Sequence, residues 1–344
     1  MRIGLDVMGG DNAPHAILDG AFDACARLDP DDELCLVGDG DVIRAAIAAR
    51  GLGDVDRLTI VPTTEVIAMD EPPVEAVRSK RDSSIVRLAE MSSRRRAEKS
   101  GTDPLDAMVS AGNTGACISA AQMHMRRLGN VHRPGIAVVL PTFGGPIVLI
   151  DVGANIEPKP HHLAQYGVMG DTYARRVLGI ERPRVALMNV GGEEQTGTAD
   201  LKDARDRLRS AGDLHFTGYI EGRAVFDGAA DVVITDGIVG NVMLKLAEGL
   251  SKGIFKAIAR EVQRIDPDLA VRFQPVVKEI YSQHDYHEYG GAPLLGVNGT
   301  CLIAHGSAEA RTVTNAIFRA KQFVAAGVND AIVERLGALE EALA

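Results

Sequence analysis

The sequence predicts an α/β fold in which a mostly parallel, doubly wound sheet forms the middle of a three-layer αβα sandwich. Short apolar segments alternate with helical segments nearly from end to end of the 344 residues. This alternation builds βαβ units with helices on both faces of a sheet. Turns that combine Gly with Asn, Asp or Glu follow several of the apolar segments, at positions where such sheets bind ligands.

The predicted strands are short apolar runs. They span residues 2–8, 33–38, 58–62, 106–110, 135–141, 146–152, 184–190, 214–220 and 231–235. The helical patterns between them span residues 14–27, 41–50, 83–99, 114–128, 162–179 and 199–210. The segments 135–141 and 146–152 are joined by a short turn, which predicts an antiparallel hairpin. The sequence has no repeat and no low-complexity linker, so we predict one domain over residues 1–344.

One segment, residues 240–284, departs from the alternation and is predicted to form a helical arm. A helix runs to about residue 265, Asp266-Pro267-Asp268 stops it, and a second helix follows. An apolar stripe runs along the first helix at Leu246, Leu250, Ile254, Ile258, Val262 and Ile265. Such a stripe needs a covering partner, so we expect a homodimer that uses the arm.

Composition restricts the partners and the chemistry. The net charge is −10, which argues against nucleic acid, whose binding depends on neutralising phosphates. No metal site is predicted, because neither a CxxC pair nor a suitably spaced histidine accompanies Cys25, Cys35, Cys117 and Cys301. The N-terminal residues 2–8 suit a strand and lack a signal-peptide pattern, so a cytoplasmic location is expected.

Six glycine-containing turns are predicted to meet at one edge of the sheet. They are residues 8–11, 110–115, 151–155, 189–194, 236–241 and 295–299. Glycine permits close backbone approach, and helix N-termini offer N–H groups to an anion. The alternative is a set of ordinary turns with N-cap residues. The sequence contains no GxxxxGK[ST], GxGxxG, GxSxG or HExxH motif, so it offers no P-loop, dinucleotide fingerprint, nucleophile elbow or zincin helix.

Basic residues accompany these turns. Lys245 follows Asn241 by one helical turn and is placed to reach an anion there. Arg78 and Lys80 lie in a polar approach to a helix N-terminus, where phosphate or carrier contact and a solvated loop are both open.

A row of basic residues also lies on the arm. It consists of Lys252, Lys256, Arg260 and Arg264, which recur every four residues. This basic band suits the docking of an acidic partner, and a solvated helix face is the alternative.

At these residues the chain resembles the acyl-carrier-protein:phosphate acyltransferase family of bacterial phospholipid synthesis. The matching segments cover nearly the whole chain in order. They are LDVMGGD (5–11), EPPVEAVRSKRDSSI (71–85), SAGNTGA (110–116), DVGANIEPKPHHLAQYGVMG (151–170), NVGGEE (189–194), YIEGR (219–223), DVVITDGIVGNVMLKLAEGL (231–250), YGGAPLLGVNG (289–299) and AHGS (304–307). The resemblance implies a homodimer with the fold of phosphotransacetylases and isocitrate/isopropylmalate dehydrogenases. It implies acyl transfer from an acidic acyl-carrier-protein thioester to inorganic phosphate.

The chain departs from the family pattern at two places. Thr196 stands where members commonly have Lys, which weakens a cationic role for that loop. The arm tip, residues 263–273, is shorter and more acidic than an apolar membrane-touching tip, which weakens membrane insertion.

For this reaction we expect phosphate to attack the thioester directly, with no protein nucleophile, metal or other cofactor. Asn113, Asn241 and Lys245 are expected to bind phosphate, and His305 to transfer a proton or stabilise the oxyanion. Asp236 is expected to orient Lys245 or His305. Further substrate-binding candidates are Gly112, Thr114, Gly115, Asn155, Gly191, Glu194, Gly240, Gly296, Asn298, Ser307, Arg78 and Lys80. A purely structural histidine is the alternative for His305.

The apolar pair Leu294-Leu295 and the arm are expected to line an acyl groove. Two other functions stay open: a hydroxy-acid dehydrogenase on the same fold, and a scaffold that recruits a membrane glycerol-phosphate acyltransferase through the arm. The dehydrogenase needs a metal-binding carboxylate cluster and a cofactor loop, and we identify neither. We expect a cytoplasmic protein that can make transient contact with that acyltransferase or with the inner face of the membrane.

Overall fold

The described residues form a sheet of eleven strands. The computed structural model describes residues 1–52, 57–101, 103–283 and 289–343. The strands are β1 (Arg2–Asp6), β2 (Glu33–Gly38), β3 (Leu58–Pro62), β4 (Ala107–Ser110), β5 (Gly135–Thr142), β6 (Gly145–Ile150), β7 (Arg184–Met188), β8 (His215–Ile220), β9 (Val232–Ile234), β10 (Ala292–Leu295) and β11 (Cys301–Ile303). Their order across the sheet is β3-β2-β1-β4-β11-β10-β5-β6-β9-β7-β8.

The helices that join these strands differ in length from one turn to eight. They are α1 (His15–Cys25), α2 (Gly40–Ala49), α3 (Pro73–Ser79), α4 (Ser84–Met91), α5 (Arg94–Ser100), α6 (Thr114–Ala120), α7 (Pro160–Leu178), α8 (Ala199–Ser210), α9 (Gly222–Val225), α10 (Gly237–Ile265), α11 (Pro267–Gln283), α12 (Ala310–Ala325) and α13 (Val328–Leu343). The segment predicted as one helix over 83–99 forms two helices, α4 and α5. The backbone is extended at Ser93, which interrupts the helical conformation between them. The one predicted over 114–128 ends at Ala120 and continues as a π-helical turn, Ala121–Met125.

Alternate strand residues enter different apolar cores, which shows that both faces of the sheet are covered. Val138 and Leu149 belong to one core, whereas Val139 and Val148 on the same two strands belong to another. A third core covers β1 and β2 through Leu5 and other residues. The predicted three-layer αβα arrangement is confirmed.

The strands run in two opposed blocks. Parallel pairing joins β3, β2, β1, β4 and β11, and also joins β6, β9, β7 and β8. Between the blocks, three successive pairs are antiparallel: β11 with β10, β10 with β5, and β5 with β6. The mostly parallel sheet and the β5–β6 hairpin are therefore as predicted, but the two parallel blocks point in opposite directions.

This reversal corrects the expectation that six glycine-containing turns share one edge. The turns after β1 and β4 lie at one edge, together with the loop after β11, and there the Asp11 N–H donates to Gly306 O at 2.7 Å. The turns after β6, β7, β9 and β10 lie at the other edge, because those strands run the other way. At that edge the Gly237 N–H donates to Asn155 O at 2.8 Å.

The long helix α10 connects the two edges. It begins beside Asn155 at one edge, and its eight-residue advance to Lys245 covers about 12 Å toward the other. Beyond the sheet it continues to Ile265, where Asp266 ends it and caps α11 by accepting from the N–H groups of Asp268 and Leu269. The predicted arm over 240–284 thus corresponds to α10 and α11 through 283, and residue 284 lies outside the described residues. No helix in the described part of the chain is long and apolar enough to cross a membrane.

Candidate active site

Lys245 and His305 form the centre of the site. The Lys245 Nζ lies 2.9 Å from His305 Nε2, and His305 Nδ1 lies 2.8 Å from Ser307 Oγ. A lysine ammonium only donates hydrogen bonds, so it needs an acceptor at Nε2. The Ser307 backbone N–H also donates, to Nδ1 at 3.2 Å. A neutral imidazole accepts at one ring nitrogen only, so these two contacts select opposite tautomers, and the Ser307 hydroxyl can serve Nδ1 as donor or as acceptor.

Glu248, which sequence reasoning missed, completes this cluster. Its side chain is only 10% exposed, with Oε2 3.2 Å from Lys245 Nζ and Oε1 4.0 Å from His305 Nε2. The sequence signal that could have identified Glu248 is its position three residues after Lys245, since residues three apart share a face of a helix.

Asp236 does not have the predicted orienting role. Its carboxylate caps α10 by accepting from the N–H groups of Ile238 and Val239, both at 2.9 Å. Capping places Asp236 at the start of α10, more than two turns before Lys245.

A small cavity of about 130 Å³ adjoins the cluster, and it brings several predicted residues together. Polar groups on its wall come from Thr114, Asn241, Lys245 and His305, and the rest of the wall is mainly apolar. The Asn241 amide donates to Val152 O at 3.2 Å, which fixes the side chain against the loop after β6. Residues from both edges of the sheet therefore meet here, because α10 spans the distance between them.

Asn113 lies next to this cavity wall in sequence, but its side chain is occupied by the protein itself. Its Nδ2 donates to the carbonyls of Ala68, Met69 and Glu71 at 3.0–3.2 Å, and its Oδ1 caps α6 by accepting from Ala116 N–H. These contacts use both N–H donors of the amide. In contrast to the expectation, the donors of this side chain are directed at backbone carbonyls and not at the cavity, and Asn113 fastens the 68–71 segment to α6.

The glycines of the predicted phosphate turns serve close packing. A Cβ on Gly240 would lie 2.0 Å from Asp151 O, so α10 can approach the loop after β6 only without a side chain there. A Cβ on Gly115 would lie 2.8 Å from the Pro73 ring. The Gly112 N–H donates to Ser110 Oγ at 3.0 Å and is not directed at a ligand.

Buried carboxylates hold the two turns that carry the site. Asp151 is fully buried and accepts from the N–H groups of Ile136, Ala154 and Asn155 at 2.7–3.1 Å. Burial raises the pKa of Asp151, and these N–H groups oppose that rise. Asn155, expected to bind substrate, instead donates from Nδ2 to Pro134 O at 2.6 Å and supports this loop.

Asp6 does the same for the turn after β4. It is fully buried, and its Oδ2 accepts from Ser110 Oγ at 2.7 Å. Ser110 in turn receives the Gly112 N–H. Burial raises the pKa of Asp6 above its usual value, and the hydrogen bonds from hydroxyl groups oppose this rise only in part. Asp6 thereby sets the backbone from which Thr114 faces the cavity.

Four predicted substrate-binding residues lie away from this cavity. Glu194 forms an ion pair with Arg209 on α8, and it shares with Gly191 the turn after β7, two strands beyond β6. Gly296 and Asn298 follow β10, which runs antiparallel to β11, so their turn lies at the edge opposite His305. The structure therefore does not bring these four residues to the cavity, because strand order and direction, which sequence patterns do not encode, place their turns elsewhere.

Arg78 and Lys80 are also outside the cavity. The Lys80 Nζ donates to Val66 O at 2.7 Å and to Glu71 Oε1 at 2.5 Å, so this lysine stabilises the 66–71 segment. Arg78 is exposed on α3, and its predicted contact with phosphate or carrier stays a prediction.

The four cysteines are all free and buried. Burial raises the pKa of Cys117, and likewise of Cys35, to about 12. Both thiols therefore stay protonated at neutral pH and are poor nucleophiles. In the described ranges no three His, Cys, Asp or Glu side chains are grouped to hold a metal ion, and catalysis without a metal or other cofactor stays a prediction.

An apolar groove of about 580 Å³ runs along α10 beside the small cavity. Its walls come from the β5–β6 turn, from α9 and from one face of α10, and Leu244 lines both cavities. Leu294 and Leu295, expected to line an acyl groove, are instead fully buried in the core as part of β10.

The basic band on the arm is exposed along its length. Arg264 is paired with Glu261, with Nε 3.0 Å from the carboxylate oxygen. Lys252 lies at the rim of the apolar groove. Lys256 and Arg260 between them are the exposed middle of the band.

Known proteins resemble this chain over nearly all of its length. The family described as "Fatty acid synthesis protein" matches residues 1–331. The phosphate acyltransferase of Heliobacterium modesticaldum is 44% identical over 338 residues, which cover 98% of each chain. That of Moorella thermoacetica is 41% identical over 343 residues, 99% of this chain and 97% of the relative.

The chain belongs to the phosphate acyltransferase family. It is accordingly an enzyme of the acyltransferase class.

Solved structures agree with the fold. A phosphotransacetylase from Streptococcus pyogenes has a TM-score of 0.60 at 18% identity, covering 94% of this chain and 93% of that one. A branched-chain phosphotransacylase from Enterococcus faecalis has a TM-score of 0.56 at 12% identity, covering 94% and 99%. At such identities the likeness concerns the fold alone.

Proposed function

We propose that this enzyme transfers a fatty acyl group from an acyl-carrier-protein thioester to inorganic phosphate, giving an acyl phosphate for membrane phospholipid synthesis. The observation that carries the proposal is the Lys245–His305–Ser307 cluster at a small cavity that adjoins an apolar groove. A cation and an imidazole suit an anionic nucleophile, and the groove suits an apolar acyl group. Membership of the family supports the same reaction.

In this proposal Lys245 and Asn241 bind phosphate in the small cavity. The Lys245 ammonium provides charge-assisted hydrogen bonds to phosphate oxygens, and Glu248 holds that ammonium in place. In the tautomer with its proton on Nδ1, His305 presents a lone pair at Nε2, which accepts the proton of a phosphate monoanion and leaves the more nucleophilic dianion.

The reaction then proceeds at the junction of the two cavities. A phosphate oxygen attacks the thioester carbonyl carbon, and the oxyanion that develops is stabilised by Lys245. As the tetrahedral intermediate collapses, the C–S bond breaks and the sulfur receives the proton from His305 Nε2. In the Nδ1-protonated tautomer the Ser307 hydroxyl accepts from Nδ1 and holds the ring in place. Acyl phosphate and carrier thiol are the products.

The basic band is proposed to receive the acidic carrier, and the arm to form a homodimer. Lys256 and Arg260 are exposed, so they offer a local positive field on a protein of net charge −10. The apolar stripe supports the dimer, with Leu246 66%, Leu250 60% and Ile265 69% exposed in the single chain. Exposed apolar faces of this extent commonly mark protein interfaces.

The test is a thioester assay with purified enzyme. Long-chain acyl-carrier protein is mixed with enzyme, and free thiol and acyl phosphate are measured with and without inorganic phosphate. We expect both products in equal amounts and only with phosphate. Thiol release without acyl phosphate would indicate hydrolysis and contradict the proposal. If no thiol is released at all, the scaffold function is supported instead of acyl transfer. If turnover occurs only with a hydroxy acid and nicotinamide, the protein is a dehydrogenase.

A further inference from the structure

We infer that the apolar groove along α10 is the subsite for the fatty acyl chain of the thioester, and that its far end at Ile254 and Phe255 limits the chain length accepted. This inference rests on the proposed function. It narrows the expectation that the arm lines an acyl groove to one face of α10 and to the two residues that end the groove.

The lining of the groove is the first support. Large apolar side chains dominate it, including Leu140, Phe143, Phe226, Met243 and Phe255. Its volume of about 580 Å³ lies within the ~300–1,000 Å³ range of pockets that hold small molecules. Each methylene group moved from water into such a lining adds to the affinity, so a long saturated chain gains most from the groove.

Continuity with the reacting cluster is the second support, and it identifies the occupant. Leu244 forms a wall of both cavities, while Lys245 lines only the small cavity and Glu248 lines only the groove. Glu248 contacts Lys245 across this boundary. A chain lying in the groove therefore has its carboxyl end beside Lys245 and His305, where the carbonyl must be placed for attack.

The dimensions are the third support. Groove residues on α10 extend from Met243 to Phe255, a helical length of about 18 Å. The acyl chains of one leaflet span half of the ~30 Å hydrocarbon core of a bilayer, or about 15 Å. The groove thus has the length of one membrane fatty acyl chain, whereas a short acyl group would leave most of it empty.

Position around α10 separates this subsite from the basic band. Successive residues turn by about 100°, so Ala247 and Ser251 face the groove while Lys256 and Arg260 lie on the opposite side. The carrier and its acyl chain can therefore contact the same helix at once. A second copy covering Leu246 and Leu250 at the outer rim would close the groove from outside.

Filling the far end of the groove tests the inference. Ile254→Trp places a large side chain there, and the control Arg182→Trp adds the same side chain at an exposed position after α7, outside the groove lining and the arm. For Ile254→Trp we expect kcat/KM to fall about tenfold or more with a sixteen-carbon thioester, the loss of two or three buried methylenes. With a six-carbon thioester it should change less than about twofold, and Arg182→Trp should be close to wild type with both.

Direct binding provides a second readout that does not depend on turnover. The natural chain has no tryptophan, so Phe143→Trp gives a single emitting residue at the groove mouth, where Phe143 is 85% exposed. Titration with palmitate should shift its emission to shorter wavelength and saturate, while the single tryptophan of Arg182→Trp should not respond. Circular dichroism and thermal unfolding check that each variant is folded.

The outcomes separate the inference from the proposed function. Equal losses with long and short thioesters, or no loss with either, together with an unresponsive Phe143→Trp, would overturn the acyl subsite. A change of oligomeric state in Ile254→Trp without a chain-length effect would assign the groove to a second copy and would overturn it too. Saturable palmitate binding in an enzyme that releases no thiol from any thioester would support the subsite while refuting the proposed reaction.

Discussion

Lys245 and His305 are 60 positions apart in the chain, and their side-chain nitrogens lie 2.9 Å from each other. Helix α10 makes this contact, because it starts at one edge of the sheet and reaches the loop after β11 at the other. The pair joins a cation held by Glu248 to an imidazole nitrogen within hydrogen-bond distance. Five predictions follow from the structure, of which the first two concern this pair.

Removing the Lys245 ammonium should impair the use of phosphate. For Lys245→Met we expect kcat/KM for phosphate to fall about 10²-fold or more, because a donor to the developing oxyanion is lost. Lys245→Arg should retain part of the activity, since charge remains but the geometry differs. Steady-state kinetics with varied phosphate measure this, with Lys278→Met on α11 as a control. Wild-type phosphate kinetics in Lys245→Met would exclude the proposed role.

Glu248 is predicted to act as a positioning residue for Lys245. Glu248→Ala should lower kcat about tenfold, because the ammonium loses the oxygen 3.2 Å away. Glu248→Gln should recover most of this loss, since its amide oxygen can still accept the hydrogen bond. A structural role would instead give both variants similar activity and similar thermal unfolding shifts. The comparison of kcat with melting temperature in the two variants decides between these roles.

Asn113 is predicted to stabilise the fold and not to bind phosphate. Asn113→Ala removes the cap of α6 and the contacts to residues 68–71, so the free energy of unfolding should fall by about 1–3 kcal/mol. The matched control is Thr198→Ala, which removes a single cap contact to Leu201 and should cost about 1 kcal/mol. Urea unfolding measures both. A raised KM for phosphate in Asn113→Ala at unchanged stability would restore the original expectation.

Charge reversal at the middle of the basic band should weaken carrier docking. For Lys256→Glu with Arg260→Glu we expect a higher KM for acyl-carrier protein and an unchanged KM for phosphate. Added salt should reduce the difference from wild type, because it screens the attraction that the wild type uses. The control Arg176→Glu with Arg182→Glu makes the same change in net charge on exposed residues near the end of α7. If both pairs of substitutions raise the KM for acyl-carrier protein equally, the change in net charge alone explains the effect and the basic band has no specific role in docking.

His162 should make the stability depend on pH between about 4 and 6.5. Burial lowers the pKa of His162 to about 4, and nearby histidine and arginine charges add to this. The unfolded chain therefore binds a proton in this range that the folded chain does not, so stability falls as the pH decreases from 6.5 to 4. His162→Gln should reduce that fall by on the order of 1 kcal/mol. Urea midpoints at pH 7 and pH 4.5 test this, with the exposed His15→Gln as control.

The elements of secondary structure were largely predictable because their causes are local. Apolar runs identified nine strands to within a few residues, and Asp266-Pro267 identified the boundary between α10 and α11. The strands β10 and β11 were not predicted, since four and three residues are too few to display an alternating pattern. The family resemblance added the reaction class, which no local pattern contains.

The candidate site was predictable only in part. The sequence identified Lys245, His305, Ser307, Asn241 and Thr114, because basic, imidazole and amide groups near glycine-containing turns are typical of anion sites. It did not identify Glu248 as the partner of Lys245. It also assigned ligand roles to Asn113 and Asp236, which the folded chain uses as helix caps.

The sequence by itself therefore determined which segments form most of the strands and helices, and which residue types are available for chemistry. These properties depend on neighbours within a few positions. The tertiary structure alone decided that the block β6, β9, β7 and β8 runs opposite to the block that ends with β11, that the turn at 295–299 faces away from His305, and that α10 crosses the sheet to bring Lys245 to it. Such features arise from packing among residues far apart in the chain, so no local pattern of residues records them.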